Sequence, residues 1–256
     1  MNYRMLRSYF KYLIRSKNEY GVHSPFVYKL LTRCLYDKTK YPEYEILTKY
    51  RKRLIKDQTV LKVRDEGSPS RYFRSDERPV GKMAKVAGSS LKEMKLWFRL
   101  SRYFQPGRVL ELGTHLGLSA LAWSKGTKGL ITTVEGNPVL YAYTKERLSS
   151  YIDKNVNFVL SDFEDYLFSS QERWDLVFID GNHTYEATVR YFHLLKNRTH
   201  NRSLLVFHDI HWSEEMERAW RDIIADPVVH VTIDLFCCGL VFFREEQFKE
   251  HFVIRF

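Results

Sequence analysis

From residue 108 onward, short apolar runs alternate with stretches spaced like helices, and this alternation constrains the fold more than any other feature. The runs are RVLEL, LITTVE, VNFVL, WDLVFID, SLLVFHD, HVTIDLF and GLVFF. The early ones are continuously apolar, as expected of strands in a parallel sheet whose two faces are both covered by helices. Helical segments lie between the first six. One opens with Asn137-Pro138, a cap followed by proline. Another, from Thr184, carries Ala187, Tyr191, Leu194 and Leu195 at helical spacing, and a third, from Ser213, carries Met216, Ala219, Trp220 and Ile223. Only about Cys237 and Cys238 separate the last two runs, so these must close as a tight hairpin. The expected fold is α/β, a mostly parallel sheet with an antiparallel last strand.

The 256 residues are enough for one such domain and an appendage. Charge marks the boundary. Residues 1–108 hold 26 lysines and arginines against 10 acids, a net +16, whereas residues 109–256 hold 15 against 21, a net −6. The expected division is a basic, mainly helical N-terminal extension or cap over residues 1–104 and a second domain over residues 105–256. Within the extension, Ser24 and Pro25 open a helix with Val27, Leu30, Leu31 and Cys34 on one face, and Ser90 with Glu93 fits a capping box. Residues 59–82, rich in charge and turn formers, read as a loop. The N-terminus has basic residues scattered through it and no apolar core, so it does not read as a signal peptide. No run approaches the roughly 18 apolar residues of a membrane span. Three cysteines without metal-ligand spacing fit a reduced, cytoplasmic setting.

In an open α/β sheet the ligand crevice lies beyond the carboxyl ends of the strands. Glu111, Glu135, Asp162, Asp180 and the pair His208-Asp209 all fall at such ends. The first strand runs into VLELGTHLGLS, residues 109–119, a tight turn with Gly113 and Gly117. It lacks the middle glycine of a dinucleotide fingerprint and the lysine of a P-loop. Glu111 before the turn would repel a pyrophosphate and suit a ligand with positive charge. S-adenosylmethionine is such a ligand, with an ammonium and a sulfonium. Glu135 is then placed to accept from two ribose hydroxyls, and Asp162 from the adenine amino group.

Four segments resemble the class I S-adenosylmethionine-dependent methyltransferases: VLELGTHLGLSALAWS, ITTVEGNP, WDLVFIDGNHTYEATVRYF and LLVFHDIHWSEE. Within the third, FIDGNHTYE is similar to the fourth-strand signature of the small-molecule O-methyltransferase branch. The resemblance covers about residues 105–245. It implies a Rossmann-like, seven-stranded sheet with an antiparallel last strand, and cofactor contacts at Glu111, Gly113, Thr114, Gly117, Glu135, Asp162 and Asp180. Their neighbours His115, Ser119, Gly136, Asn137 and Phe163 stand as further cofactor candidates. Catechol-type members of that branch bind a divalent metal through an aspartate after strand four and an Asp-Asn pair after strand five. Asp180 matches the first position, but the second reads His208-Asp209, so a metal on Asp180, His208 and Asp209 would meet an altered ligand set. His183 and His211 lie close by in sequence, and an Asp/His site remains open beside a metal-free pocket.

Methyl transfer is an in-line displacement at an activated sulfonium, so positioning does much of the work. A hydroxyl acceptor must also lose its proton, and His183, His208 and Asp209 are the candidate bases. Trp212 is placed to line the pocket of an aromatic acceptor. The expected partner is therefore a small-molecule acceptor, with a homodimer also compatible. Aromatic residues interleaved with Lys and Arg in the extension fit either a cap packed on the sheet or a stacking surface for RNA, which would make the chain a nucleic-acid methyltransferase. A non-catalytic cofactor-binding adaptor is the alternative from another class. A nicotinamide oxidoreductase is disfavoured by the missing glycine.

Overall fold

The computed structural model describes residues 3–64 and 72–256. The N-terminal part is helical, as expected: α1 (Tyr3–Arg15), α2 (Pro25–Leu30), α3 (Glu43–Lys56), α4 (Val80–Val86) and α5 (Leu91–Phe104). Ser24 Oγ accepts from Val27 N at the start of α2, and the helix runs on into one π-helical turn, Leu31–Leu35. The capping box of α5 is formed in both directions, Glu93 N to Ser90 Oγ at 3.2 Å and Ser90 N to Glu93 Oε2 at 2.7 Å. Residues 59–82 depart from the expected loop. Strands β1 (Val60–Lys62) and β2 (Glu77–Pro79) pair antiparallel with Leu61 opposite Arg78, and α4 follows at once. Each strand buries only its central residue, and three residues are too few for a legible period of two. The rest of that expected loop, residues 65–71, lies outside the described residues.

The second part alternates as expected. Its elements are β3 (Arg108–Leu112), α6 (Leu118–Gly126), β4 (Leu130–Glu135), α7 (Pro138–Leu148), β5 (Val156–Leu160), α8 (Phe163–Ser169), β6 (Leu176–Ile179), α9 (Tyr185–Lys196), β7 (Leu204–His208), α10 (Glu214–Ala225), β8 (Val231–Asp234), β9 (Cys238–Phe242) and β10 (Glu250–Val253). The fold is α/β and Rossmann-like, with one strand beyond the seven expected. That strand, β10, is short and follows a charged run, so its sequence carries little strand signal.

The chain divides into two compact units, Met1–Tyr36 with Leu167–Phe256, and Asp37–Tyr166. Neither cut falls at the charge break near residue 108. In the continuous unit, β3, β4 and β5 run parallel in that order. Helix α5 packs on α6, with the buried rings of Trp97 and Trp123 5.4 Å apart. Burial of side chains of this size contributes roughly 1.5–3 kcal/mol each. Helix α3 packs on α4, α5 and α6, and its buried Tyr50 donates its hydroxyl to the Leu116 carbonyl at 2.9 Å, bracing the turn after β3.

In the discontinuous unit the strand order is β10-β8-β9-β7-β6. Strands β6 and β7 are parallel, while β9 is antiparallel to both β7 and β8, which is the outcome the hairpin demands. Strand β10 adds parallel to β8. Helix α1 is tied to this unit through the buried Tyr12, whose hydroxyl donates to Ile254 O at 2.5 Å, and through Lys17 N to Val253 O at 2.8 Å. Several aromatics of the N-terminal segment are thus packing residues: Tyr12 tilts against Phe236, Phe26 against Phe242, and Tyr41 and Tyr44 against Phe98. Among the described residues, no helix is long and apolar enough to cross a membrane.

Candidate active site

The turn after β3 is built by backbone constraint. Gly113 has φ 106° and Gly117 φ 72°, both left-handed, and a Cβ on Gly117 would stand 2.7 Å from Leu148 Cδ2. Glycine is the residue that meets both demands. Gly113 N and Thr114 N both donate to Val134 O, at 2.9 and 3.2 Å, so the turn hangs from the neighbouring strand. His115 is also left-handed, at φ 47°. Glu111 is wholly buried and accepts from Thr133 Oγ1 at 2.5 Å, the residue opposite it in the β3–β4 register. Thr133 also shares a 2.6 Å bond with buried Thr114, and Ser119 is buried in the first turn of α6.

Glu135 is tied to this turn. Its Oε2 accepts from His115 N at 2.8 Å and its Oε1 from Asn137 N at 3.0 Å. Two backbone donors therefore fix the carboxylate where β4 ends, one on each oxygen. Asn137, past the half-buried Gly136, caps α7 by accepting from Val139 N and Leu140 N. Thr144 of α7 donates back to His115 O. Asp162 is exposed and caps α8, accepting from Glu164 N at 2.7 Å, with the half-buried Phe163 beside it. All these residues belong to the continuous unit.

The other candidates lie in the discontinuous unit, at the ends of β6 and β7. His208 Nδ1 is 2.9 Å from Asp180 Oδ1, and His183 Nε2 is 3.6 Å from the same oxygen. Asn182, His183 and Asp209 all take left-handed backbone conformations, at φ 66°, 50° and 55°. Such conformations in non-glycine residues cost about 1–3 kcal/mol each and gather at functional sites. Asp209 N is held by Cys237 O at 2.8 Å, Asn182 Nδ2 by the Tyr191 hydroxyl at 3.3 Å, and the Trp212 ring centroid lies 6.3 Å from that of His183. Donor atoms of Asp180, His183 and Asp209 lie within 4.8 Å of one another. The structure thus gathers His183, one of the histidines left open for an Asp/His site, with the two aspartates. His208 Nδ1 contacts Asp180 and lies 3.8 Å from Asp209 Oδ2.

A group the sequence named only as a neighbour is His211. Its Nε2 is 2.9 Å from Asp234 and its Nδ1 3.2 Å from Glu217, with its ring stacked 5.0 Å from Phe236. Burial pushes its pKa down, but the hydrogen bonds to Asp234 and Glu217 outweigh that and raise it to about 9. Burial likewise pushes Glu217 up, and bonds from His211 and Ser8 outweigh it and bring it to about 2. Arg4 of α1 adds an ion pair to Glu217 at 3.2 Å. The H-x-x-H spacing of His208 and His211 was visible in the sequence; the carboxylates on either side came from β8 and α10.

Parallel strands ending in a glycine turn and in acids define a nucleotide-binding class, the Rossmann-like α/β proteins. Residues 110–210 match the family described as "Methyltransferase domain". Solved structures share the fold. A methyltransferase from Podospora anserina, bound to S-adenosylhomocysteine, is 16% identical with a TM-score of 0.62, over 90% of this chain and 98% of that one. A putative O-methyltransferase from Klebsiella pneumoniae is 14% identical with a TM-score of 0.57, over 80% and 91%. An O-methyltransferase from Bacillus cereus in complex with S-adenosylhomocysteine is 14% identical with a TM-score of 0.54, over 80% and 92%. No curated protein sequence matches the chain.

Proposed function

We propose that the chain transfers the methyl group of S-adenosylmethionine to a hydroxyl oxygen of a small molecule. The single observation that carries the oxygen reading is the Asp180–His208 pair at the ends of β6 and β7. A carboxylate accepts only, so Asp180 places the His208 proton on Nδ1 and leaves Nε2 to take a proton from the acceptor. On the cofactor side, Glu135 would receive the ribose hydroxyls, and the turn from Gly113 to Gly117 would lie against the nucleoside. Asp162 would add the adenine amino group through the carboxylate oxygen that does not cap α8. The similar structures from Podospora anserina and Bacillus cereus hold S-adenosylhomocysteine, which supports this choice of cofactor.

The donor set Asp180, His183 and Asp209, two carboxylates and one imidazole, fits a divalent cation. Bound there, an ion would lower the pKa of a coordinated acceptor hydroxyl. Loss of turnover in a chelator, regained with Mg²⁺ or Mn²⁺, would put the ion in the reaction. Undiminished turnover leaves the proton to His208.

Calorimetry with S-adenosylmethionine and S-adenosylhomocysteine, followed by turnover on a panel of phenols and alcohols, tests the proposal. Absence of binding by both ligands to the folded protein would overturn it. Binding with turnover only on RNA would move the acceptor to nucleic acid. The faces of Tyr41 and Tyr44 do not favour that outcome, since Arg102 lies 4.8 Å over one ring and Lys95 4.9 Å over the other.

A further inference from the structure

Helix α1 is anchored on one side only. Arg4, Ser8 and Tyr12 reach Glu217, Glu217 and Ile254 within the discontinuous unit. At 100° per residue these side chains share one face, and Tyr3, Leu6, Phe10 and Ile14 fall on the opposite one. They are exposed to 84, 39, 57 and 83%. Arg7 borders that stripe and Lys11 lies one step beyond it, both exposed, and exposed Arg15 and Lys17 continue the charge at the end of the helix and just past it. The helix contains no acid. A surface helix ordinarily turns its apolar stripe to the core and its charges to water. Here the fold holds the stripe outward.

We propose that this face of α1 docks on an anionic lipid bilayer surface, with the four apolar side chains entering the headgroup boundary and the basic side chains lying along lipid phosphates. An apolar stripe edged with lysine and arginine is the pattern of helices that lie in the membrane interface. Charge complementarity selects an anionic surface, because each basic side chain near such a surface strengthens binding. A second copy of the chain fits the face poorly. A helix of 13 residues is about 20 Å long and 10 Å wide, far short of the roughly 800 Å² per partner that a stable interface buries. Pairing like helices would also bring two sets of cations together. The proposal does not depend on the methyl acceptor.

The test is co-sedimentation of the full chain with phosphatidylcholine vesicles, with and without phosphatidylglycerol. The chain is expected to pellet with the mixed vesicles, to stay in solution with phosphatidylcholine alone, and to be released as salt is raised. Phe10→Asp with Ile14→Asp is expected to abolish binding. Arg7→Gln and Lys11→Gln are each expected to weaken it roughly fivefold. Phe10, Ile14 and Arg7 point away from the anchoring contacts, and an unchanged melting temperature confirms that each variant folds. No binding to mixed vesicles overturns the proposal. So does binding that survives the Phe10/Ile14 double variant, because the basic surface alone would then account for it. A dimer in sedimentation velocity that this variant dissociates, without vesicle binding, overturns it in favour of a self-interface.

Discussion

The backbone N–H of His115 donates to Glu135 Oε2 at 2.8 Å, joining the glycine turn to the carboxylate that ends the next strand. The backbone of His115 thus has a defined task, while the turn and the proposed ribose acceptor are held as one piece. Glu135→Ala is expected to weaken S-adenosylhomocysteine at least tenfold, since hydrogen bonds to a charged group contribute about 1.5–3 kcal/mol each. Melting temperature should fall as well, because His115 N and Asn137 N lose their acceptor. Calorimetry and thermal denaturation read the two effects separately. Unchanged affinity would remove Glu135 from the cofactor site.

Gly117→Ala meets two obstacles together, a left-handed φ and a Cβ 2.7 Å from Leu148 Cδ2. The expected cost is about 1–3 kcal/mol in stability. Denaturant unfolding checks it, with Gly136→Ala, after β4 and without a left-handed φ, as the comparison. The turn variant should also bind cofactor more weakly.

Asp180→Asn and His208→Asn should each lower kcat by about 10²–10⁴ if His208 takes the acceptor's proton. In His208→Asn cofactor affinity should stay within about twofold, since that side chain is not assigned to the nucleotide. The acid limb of the pH–rate profile should disappear in His208→Asn. A profile identical to that of the native chain would pass the base to another group.

The Asp234–His211–Glu217 cluster gives stability a pH dependence. His211 binds its proton more tightly in the folded chain, so its contribution is complete below about 6.5 and is lost as pH rises through about 9. Glu217 contributes fully above about 4.5 and loses that contribution as pH falls through about 2. Counted once for the coupled cluster, the effect is on the order of 3 kcal/mol. Melting temperature should therefore be level from about pH 4.5 to 6.5 and decline by several degrees on the alkaline side. His211→Gln should be less stable throughout and show a shallower alkaline decline.

What the sequence disclosed was local. Asn137, Thr184 and Ser213 cap their helices, and the continuous apolar runs became strands, because caps and periodicity are written in adjacent residues. The acids and histidines of the candidate site were legible by the same logic, as residues at strand ends. Tertiary pairings were not. His183 joins Asp180 and Asp209 only because three left-handed residues turn the chain there, and nothing in Asn182-His183 announces a positive φ. Strands β1, β2 and β10 have three or four residues each, and they exist because a partner strand accepts them. Five aromatic residues of the basic segment declared themselves as packing residues only through their partners.

The bond from Tyr12 to Ile254 spans 242 positions of sequence, and the same stretch of β10 receives Lys17. Synthesis therefore separates the two halves of one anchor. At roughly 5–20 residues per second, α1 leaves the ribosome about 12 to 50 seconds before its acceptor carbonyl exists. For that interval Tyr12 and the outward stripe of Tyr3, Phe10 and Ile14 are exposed on the same helix, apolar on both sides. The nascent chain must carry this segment, as a substrate for any chaperone or lipid surface within reach, until β10 emerges to fix its inner face.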